Sequence, residues 1–570
     1  MFVIRPLCRS EMKPLIDPTT TRIRIPLAVL IVCLATLLFG VFDHALWTQD
    51  EPREAEIARR MAAGGSWLVP ELAGVPFVEK PPLYYWFSAV AMLTLGRVTG
   101  ETYAARAFSS LCAGLTLLLV AMAVKKYFSA ICALSAVLVL ATTGGFFYAG
   151  HWILIDPFLM ALVTAAVLFF FIGLDRDEPL ALLGGCLAAA GAFLAKGLVA
   201  WGLLAFPWLA ALALNLSALR RRPLRLLAGL LVMILPAVAW AAVFRVFAGP
   251  ELWNKWFWEN QVGRFWGRTE HLGHIRGGDY YLFLLPLMLL PWTPALAGWF
   301  SRKGRNWWRD NPSGRRLLIV AAAWALGGFF LLCLAGTKRD IYLFPLLPGF
   351  AIIAAACLDD PPAGVKAALY AITLPLLLVL VMTAFSRAGW EEGKPALTLA
   401  FNPLLFLTAA AAIYLFIRYH RRPILSTASV TALFFITAVV WVVPVINRYK
   451  DYKPSTLRLA AAIPPEGRER VCGWDIDETT RAVFSYYAGL TVIDQRKGLP
   501  EEEMFERLQG LIDRKVGDCR YVLALIKRKR DFPPAGLLLS PDSVIAREGM
   551  GINRELLLIE TGSGKWRQRQ

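Results

Sequence analysis

Apolar runs close to twenty residues long recur along the first 445 positions, and nothing else in the chain restricts its fold so severely. A run of that length is what one helix needs to cross the hydrocarbon of a bilayer. Candidate spans lie near 25–42, 104–123, 129–148, 155–174, 179–196, 198–216, 225–247, 281–299, 317–336, 343–358, 366–384, 400–417 and 424–444. One further stretch, 82–96, is apolar but short, and charge decides where it lies. If it stays at the interface, Lys125 and Lys126, Asp175 to Glu178, Arg220 to Arg222, 301–316, 359–366 and Arg418 to Arg422 share one face, with the acidic stretch 43–80 on the other. If it crosses, every later loop inverts and the positive-inside rule fails loop after loop. The expectation is an all-α polytopic membrane protein of about thirteen transmembrane helices. Its N-terminus is cytoplasmic, behind Arg5, Arg9, Lys13, Arg22 and Arg24, and its C-terminal part lies in the periplasm of a double-membraned bacterium. The first run is too long for a signal-peptide core and is followed by acid, so it reads as a retained span.

Composition agrees with this and removes other classes. The chain is 57% hydrophobic and 18% charged, against about 25% charge for a soluble domain. The formal charge of +18 is distributed between spans rather than on one soluble face, which excludes nucleic acid as the partner. Nine cysteines show no CxxC spacing, and most lie in apolar runs as small buried hydrophobes. After position 445 the sequence turns polar, with strand-like runs (RVCGWDI, YVLALIK, ELLLIE) alternating with helix-like ones. That predicts a small α/β domain over 446–570. Its Cys472 and Cys519 face an oxidising compartment, where they either pair or serve as core.

The loops assigned to the outer face carry the chemistry. WTQDEPREAEIARRM, 47–61, contains a Thr48-to-Glu51 capping box. Asp50 and Glu51 are then either first-turn acids on a solvated helix or the acidic end of an active site. In FVEKPPLYYWF the paired prolines fix Glu79 and Lys80 at the mouth of the juxtamembrane helix, ahead of interfacial Tyr84, Tyr85 and Trp86. HWILIDPF puts His151 and Asp156 at a span end, where a carboxylate must be paired or hydrated. AKG leaves Lys196 near the same face, either snorkelling or engaged. The stretch 254–281 combines aromatics with Arg264, Arg268, His271, His274 and Arg276, and TKRDIYLFP adds Lys338, Arg339, Asp340 and Tyr342. Carboxylates, cations and imidazoles gathered at membrane depth suit a lipid-linked phosphate, which cations grip by charge-assisted hydrogen bonds. A channel would show rings of one charge sign, and a secondary transporter an inverted repeat; neither pattern is present in the sequence.

Asp50-Glu51-Pro52-Arg53, Glu79-Lys80-Pro81-Pro82, the Asp156-Pro157 pair, Ala195-Lys196-Gly197, ENQVGRF and the late Tyr342-x-x-Pro345 resemble, in that order, bacterial members of the protein O-mannosyltransferase superfamily, closest to the lipid A aminoarabinose transferases. The resemblance implies a GT-C fold over 1–445, with catalytic periplasmic loops 43–103, 248–280 and 337–342. It also implies transfer of a sugar, such as 4-amino-4-deoxy-L-arabinose, from an undecaprenyl-phosphate donor to lipid A or another envelope acceptor. Asp50 and Asp156 then match catalytic carboxylates, and Arg53, Lys80, Lys196, Arg276 and Tyr342 the donor-phosphate side. Glu79 and His271 match a metal pair, with Zn²⁺ as the divalent ion; no organic cofactor is implied. Glu54 departs from the aromatic of many relatives, and GHIRGGDYY lacks their Pro-Trp, so sugar and acceptor stay open. Protein O-glycosylation and lipid-linked-sugar transport are the rival functions.

Overall fold

The computed structural model describes residues 18–47, 49–267, 275–358, 360–391, 394–496, 499–514, 517–527, 543–551 and 554–562. The chain is a multi-pass membrane protein. Eight helices are long and apolar enough to cross a bilayer, and ten if each of two bent pairs forms one span. All thirteen expected segments are helical; the first falls largely in the 21-residue helix Pro18–Leu38, and two are shorter apolar helices, Leu198–Leu214 and Pro403–Tyr419. Two expected spans are broken. Ala130–Ala141 and Gly144–His151 meet at 67°, and Tyr280–Met288 meets Thr293–Phe300 at 106°. At the first break Thr142 and Thr143 donate back to Leu138 O and Val139 O, an arrangement that bends helices. At the second, Pro291 supplies no N–H to continue the ladder. Leu83–Thr94, the ambiguous stretch, is 12 residues and about 18 Å long, well under the roughly 30 Å of a hydrocarbon core.

The hairpin of Ile155–Asp175 and Pro179–Lys196 packs unusually close. A Cβ on Gly173 would stand 2.5 Å from Leu182 N, and one on Gly185 2.5 Å from Phe170 N. Only glycine allows that approach. Because the two helices are antiparallel, the first residues of one and the last of the other share a level, which brings Asp156 to Lys196.

Helix Pro423–Lys450 runs past position 445 before the soluble part begins. A five-stranded sheet follows in the order Ile493–Asp494, Val471–Trp474, Tyr521–Lys527, Arg554–Glu560, Val544–Gly549. The first two pairings are parallel and the last two antiparallel. Cys472 and Cys519 are joined, with Cα atoms 5.7 Å apart, so the choice between pairing and plain core resolves to a disulfide.

This domain sits on the first-loop helix Asp50–Ala62. Ser485 Oγ donates to Glu56 Oε1 at 2.5 Å, Thr479 Oγ1 to Gln49 O at 3.2 Å and Arg53 Nη1 to Glu478 Oε2 at 3.2 Å. The helix is therefore not a solvated one. Thr48 lies outside the described residues, and Gln49, which precedes the helix, makes no side-chain cap. Glu51 turns inward, where it accepts from Trp47 N at 2.8 Å, Ile153 N at 3.0 Å and Arg106 Nε at 3.0 Å. Arg106 is 0% exposed and also donates to Val41 O and His44 O. This buried pair ties the first loop to Glu101–Tyr127.

Candidate active site

A cavity of about 350 Å³ opens where the loops around Glu79, Arg264 and Thr337 meet the ends of Ile155–Asp175, Pro179–Lys196 and Leu198–Leu214. Its apolar lining includes Leu198, Val199, Leu203, Leu331 and Leu332. Its charged lining includes Lys80, Lys196 and Arg264, together with Tyr342. Each cation holds an acid. Lys80 Nζ donates to Glu54 Oε1 at 3.1 Å. Lys196 pairs with Asp156, and its ammonium lies 4.4 Å from the Tyr342 ring centroid. Arg264 forks onto Glu79, with Nη2 to Oε1 at 2.9 Å and Nη1 to Oε2 at 3.3 Å. Burial pushes the Glu79 carboxyl up, but Arg264, Arg53 and Lys80 outweigh it and hold the group at about 2.

Behind this rim stands a second layer. Arg53 Nη2 donates to both Asp50 Oδ1 at 2.8 Å and Glu54 Oε1 at 3.1 Å, so Glu54 bridges Arg53 and Lys80. Tyr85 OH donates to the other Glu54 oxygen at 2.7 Å. Asp50, only 4% exposed, also takes a two-pronged bond from Arg339, with Nη1 to Oδ1 at 2.8 Å and Nη2 to Oδ2. Burial alone would raise the Asp50 carboxyl. The Arg339 hydrogen bond and the charges of Arg53, Arg339 and Lys80 reverse that and keep it well below the usual carboxylate range.

The structure thus brings together Lys80, Asp156, Lys196, Glu79 and Tyr342 at the cavity, with Asp50 and Arg53 one layer out. It does not bring Arg276 there. Arg276 is exposed, with its guanidinium 4.2 Å from the Tyr280 ring centroid, on a separate open groove with Phe283 and Leu287. His271 lies outside the described residues. His151 is spoken for by Phe147 O at 2.7 Å and Phe39 O at 2.8 Å, which makes it a strut. Sequence reasoning gave no role to Arg264, and none beyond a loop cation to Arg339. Both are partners of recognised acids across 185 and 289 positions, separations at which no local pattern signals a contact.

Among the described residues no group of three or more His, Cys, Asp or Glu could hold a metal. Both Glu79 oxygens accept from Arg264, which neutralises the carboxylate in this arrangement.

The apolar helical bundle, with loops closing a charged cavity at one end, is shared with a solved protein of GT-C architecture. The crystal structure of ArnT from Cupriavidus metallidurans bound to undecaprenyl phosphate matches with a TM-score of 0.71 over 95% of this chain and 98% of that one, at 20% identity. Its apo form matches at 0.69. At that identity the likeness establishes the fold.

In sequence, residues 79–246 match the family described as dolichyl-phosphate-mannose-protein mannosyltransferase. The undecaprenyl phosphate-alpha-4-amino-4-deoxy-L-arabinose arabinosyl transferase of Serratia proteamaculans is 28% identical over 346 residues, 60% of each chain. That of Edwardsiella ictaluri is 30% identical over 318 residues, 54% of this chain and 55% of its own. The chain thus aligns with between 55% and 60% of the length of these curated relatives. The resemblance carried by DEPR, EKPP and AKG is borne out by these relatives and by the fold.

Proposed function

We propose that this protein is an integral membrane glycosyltransferase that moves a sugar from an undecaprenyl-phosphate donor to lipid A, or a related envelope acceptor. The names of its relatives favour 4-amino-4-deoxy-L-arabinose as the sugar. The setting is the bacterial inner membrane, with the N-terminus cytoplasmic and the C-terminal domain and the cavity periplasmic. The observation that carries the reading is one cavity that combines apolar lining suited to a prenyl chain with Lys80, Lys196 and Arg264 suited to a phosphate.

In the reaction, an acceptor phosphate oxygen attacks the anomeric carbon, the bond from that carbon to the donor phosphate breaks, and undecaprenyl phosphate leaves. The three cations neutralise the charge that grows on the departing phosphate, in a site with little water to screen them. Asp50, with Asp156, is assigned to the chemical step as fixed negative charge opposite the positive charge developing on the sugar. A general base needs a free oxygen to take a proton, and both Asp50 oxygens accept from guanidinium groups, Oδ1 from Arg53 and Arg339 and Oδ2 from Arg339. An anionic acceptor needs no base, whereas a Ser or Thr hydroxyl would, and this supports a phosphate-bearing lipid over protein glycosylation.

No step here runs through a metal. Zinc at Glu79 and His271 is a separate proposal, in which the ion would compete with Arg264 for Glu79. Stoichiometric zinc persisting in a Glu79→Ala/His271→Ala double variant would set it aside.

The test of the phosphate cavity is donor binding. Losing one hydrogen bond to a charged group costs roughly 1.5–3 kcal/mol, so Lys80→Ala should weaken undecaprenyl phosphate binding about ten- to a hundredfold. Unchanged affinity in Lys80→Ala, Lys196→Ala and Arg264→Ala alike would overturn the assignment.

A further inference from the structure

A second, smaller cavity of about 70 Å³ adjoins the first and shares Glu79 and Asn260 with it. Its remaining polar lining is Lys255 from the membrane domain and Glu478 and Arg481 from the C-terminal domain. Asn260 is 6% exposed, and its side-chain amide is oriented by Nδ2 donating to Lys255 O at 2.8 Å. That bond follows the π-helical winding of Lys255–Gly263, an irregularity that recurs at functional sites. It leaves Oδ1 buried and without a hydrogen-bond partner. A buried acceptor with nothing to accept costs about 1–3 kcal/mol, and such a group calls for an explanation.

We infer that this annex is the donor-sugar subsite, in which Asn260 Oδ1 accepts a hydrogen bond from an amino or hydroxyl substituent of the sugar. The inference rests on the donor-phosphate reading of the larger cavity. With the phosphate at Lys80, Lys196 and Arg264, the sugar is placed at the part of the cavity bounded by Glu79 and Asn260, the residues it shares with the annex. At about 70 Å³ against about 350 Å³ for the main cavity, the annex suits part of a sugar and not the lipid chain. Glu478 beside Asn260 adds a negative charge suited to an ammonium, while Arg481 and Lys255 limit the net charge of the pocket. Asn260 is therefore a specificity residue, and the soluble domain supplies part of the wall that reads the sugar.

The experiment compares undecaprenyl-phosphate donors bearing 4-amino-, 4-hydroxy- and 4-deoxypentoses with sugar-free undecaprenyl phosphate, on the full-length protein. The wild type should prefer the first two over the deoxy donor in kcat/KM by at least about tenfold. Asn260→Leu should reduce that preference to about twofold or less while binding sugar-free undecaprenyl phosphate as the wild type does. Asn260→Asp, which keeps the shape and the acceptor, should retain the preference and shift it toward the amino donor. A preference that survives Asn260→Leu overturns the inference, as does equal loss of affinity for sugar-free undecaprenyl phosphate. Failure of the wild type to bind sugar-free undecaprenyl phosphate would instead strike the phosphate reading beneath it.

Discussion

Asp50 is fixed by two guanidinium groups, and this arrangement separates its charge from its shape. Asp50→Asn keeps the shape but removes the charge and one of the two acceptor oxygens that Arg53 and Arg339 share, so some loss of stability is expected as well. In inserted protein that still binds donor, turnover should fall at least about a hundredfold. The pH dependence has a definite sign. A carboxyl whose folded pKa is lowered contributes stability that is complete above its unfolded value and is lost as pH falls through the folded one. For Asp50, and for Glu79 held at about 2, the folded values lie well below neutrality. Neither group should produce an acid limb in kcat between about pH 5 and 8. An acid limb near pH 6 that disappears in Asp50→Asn would show Asp50 titrating as a base. At the buried Glu51–Arg106 pair, Arg106→Ala strands a carboxylate with 0% exposure and should cost about 3–5 kcal/mol, read by thermal or denaturant unfolding in detergent. Glu79, Lys80, Asp156 and Lys196 were legible in the sequence because proline, glycine and span ends fix their positions locally. Glu54 looked like a departure, yet it bridges Arg53 and Lys80, which no spacing rule conveys.

At the scale of elements, hydropathy located the thirteen apolar helical segments but not where two of them break. A bend needs only a threonine pair or a proline, and neither alters an apolar average. Length, too, separates spans that hydropathy treats alike, leaving Leu198–Leu214 and Pro403–Tyr419 short. In the soluble domain, alternation gave the α/β class, and the antiparallel edge strand Val544–Gly549 emerged only in the structure. The disulfide closes a separation of 47 residues, for which loop-closure entropy predicts about 4 kcal/mol. Cys472→Ser/Cys519→Ser should lower the stability of that domain by roughly 2–5 kcal/mol, measured by denaturant unfolding monitored within it. An unchanged midpoint would show the bond to be incidental.

For the whole molecule, the docking of the soluble domain on Asp50–Ala62 makes one unit of what the sequence presented as two. Arg53 reaches Glu478, and Glu478 in turn borders the sugar annex. This arrangement demands a single outer face. Cysteines introduced at 64–75 and after 450 should react with an impermeant reagent from the periplasmic side, and those in Arg302–Asp310 should not. The most direct measurement of the central claim is transfer itself. Purified protein in detergent, given undecaprenyl-phosphate-linked aminoarabinose and lipid A, should add the sugar's mass to lipid A. Because detergent has no two sides, a transporter would yield no product. The account predicts product from the wild type and a loss of at least about tenfold in Lys80→Ala. Absence of any product from wild-type protein that binds the donor, or full transfer by Lys80→Ala, would contradict it.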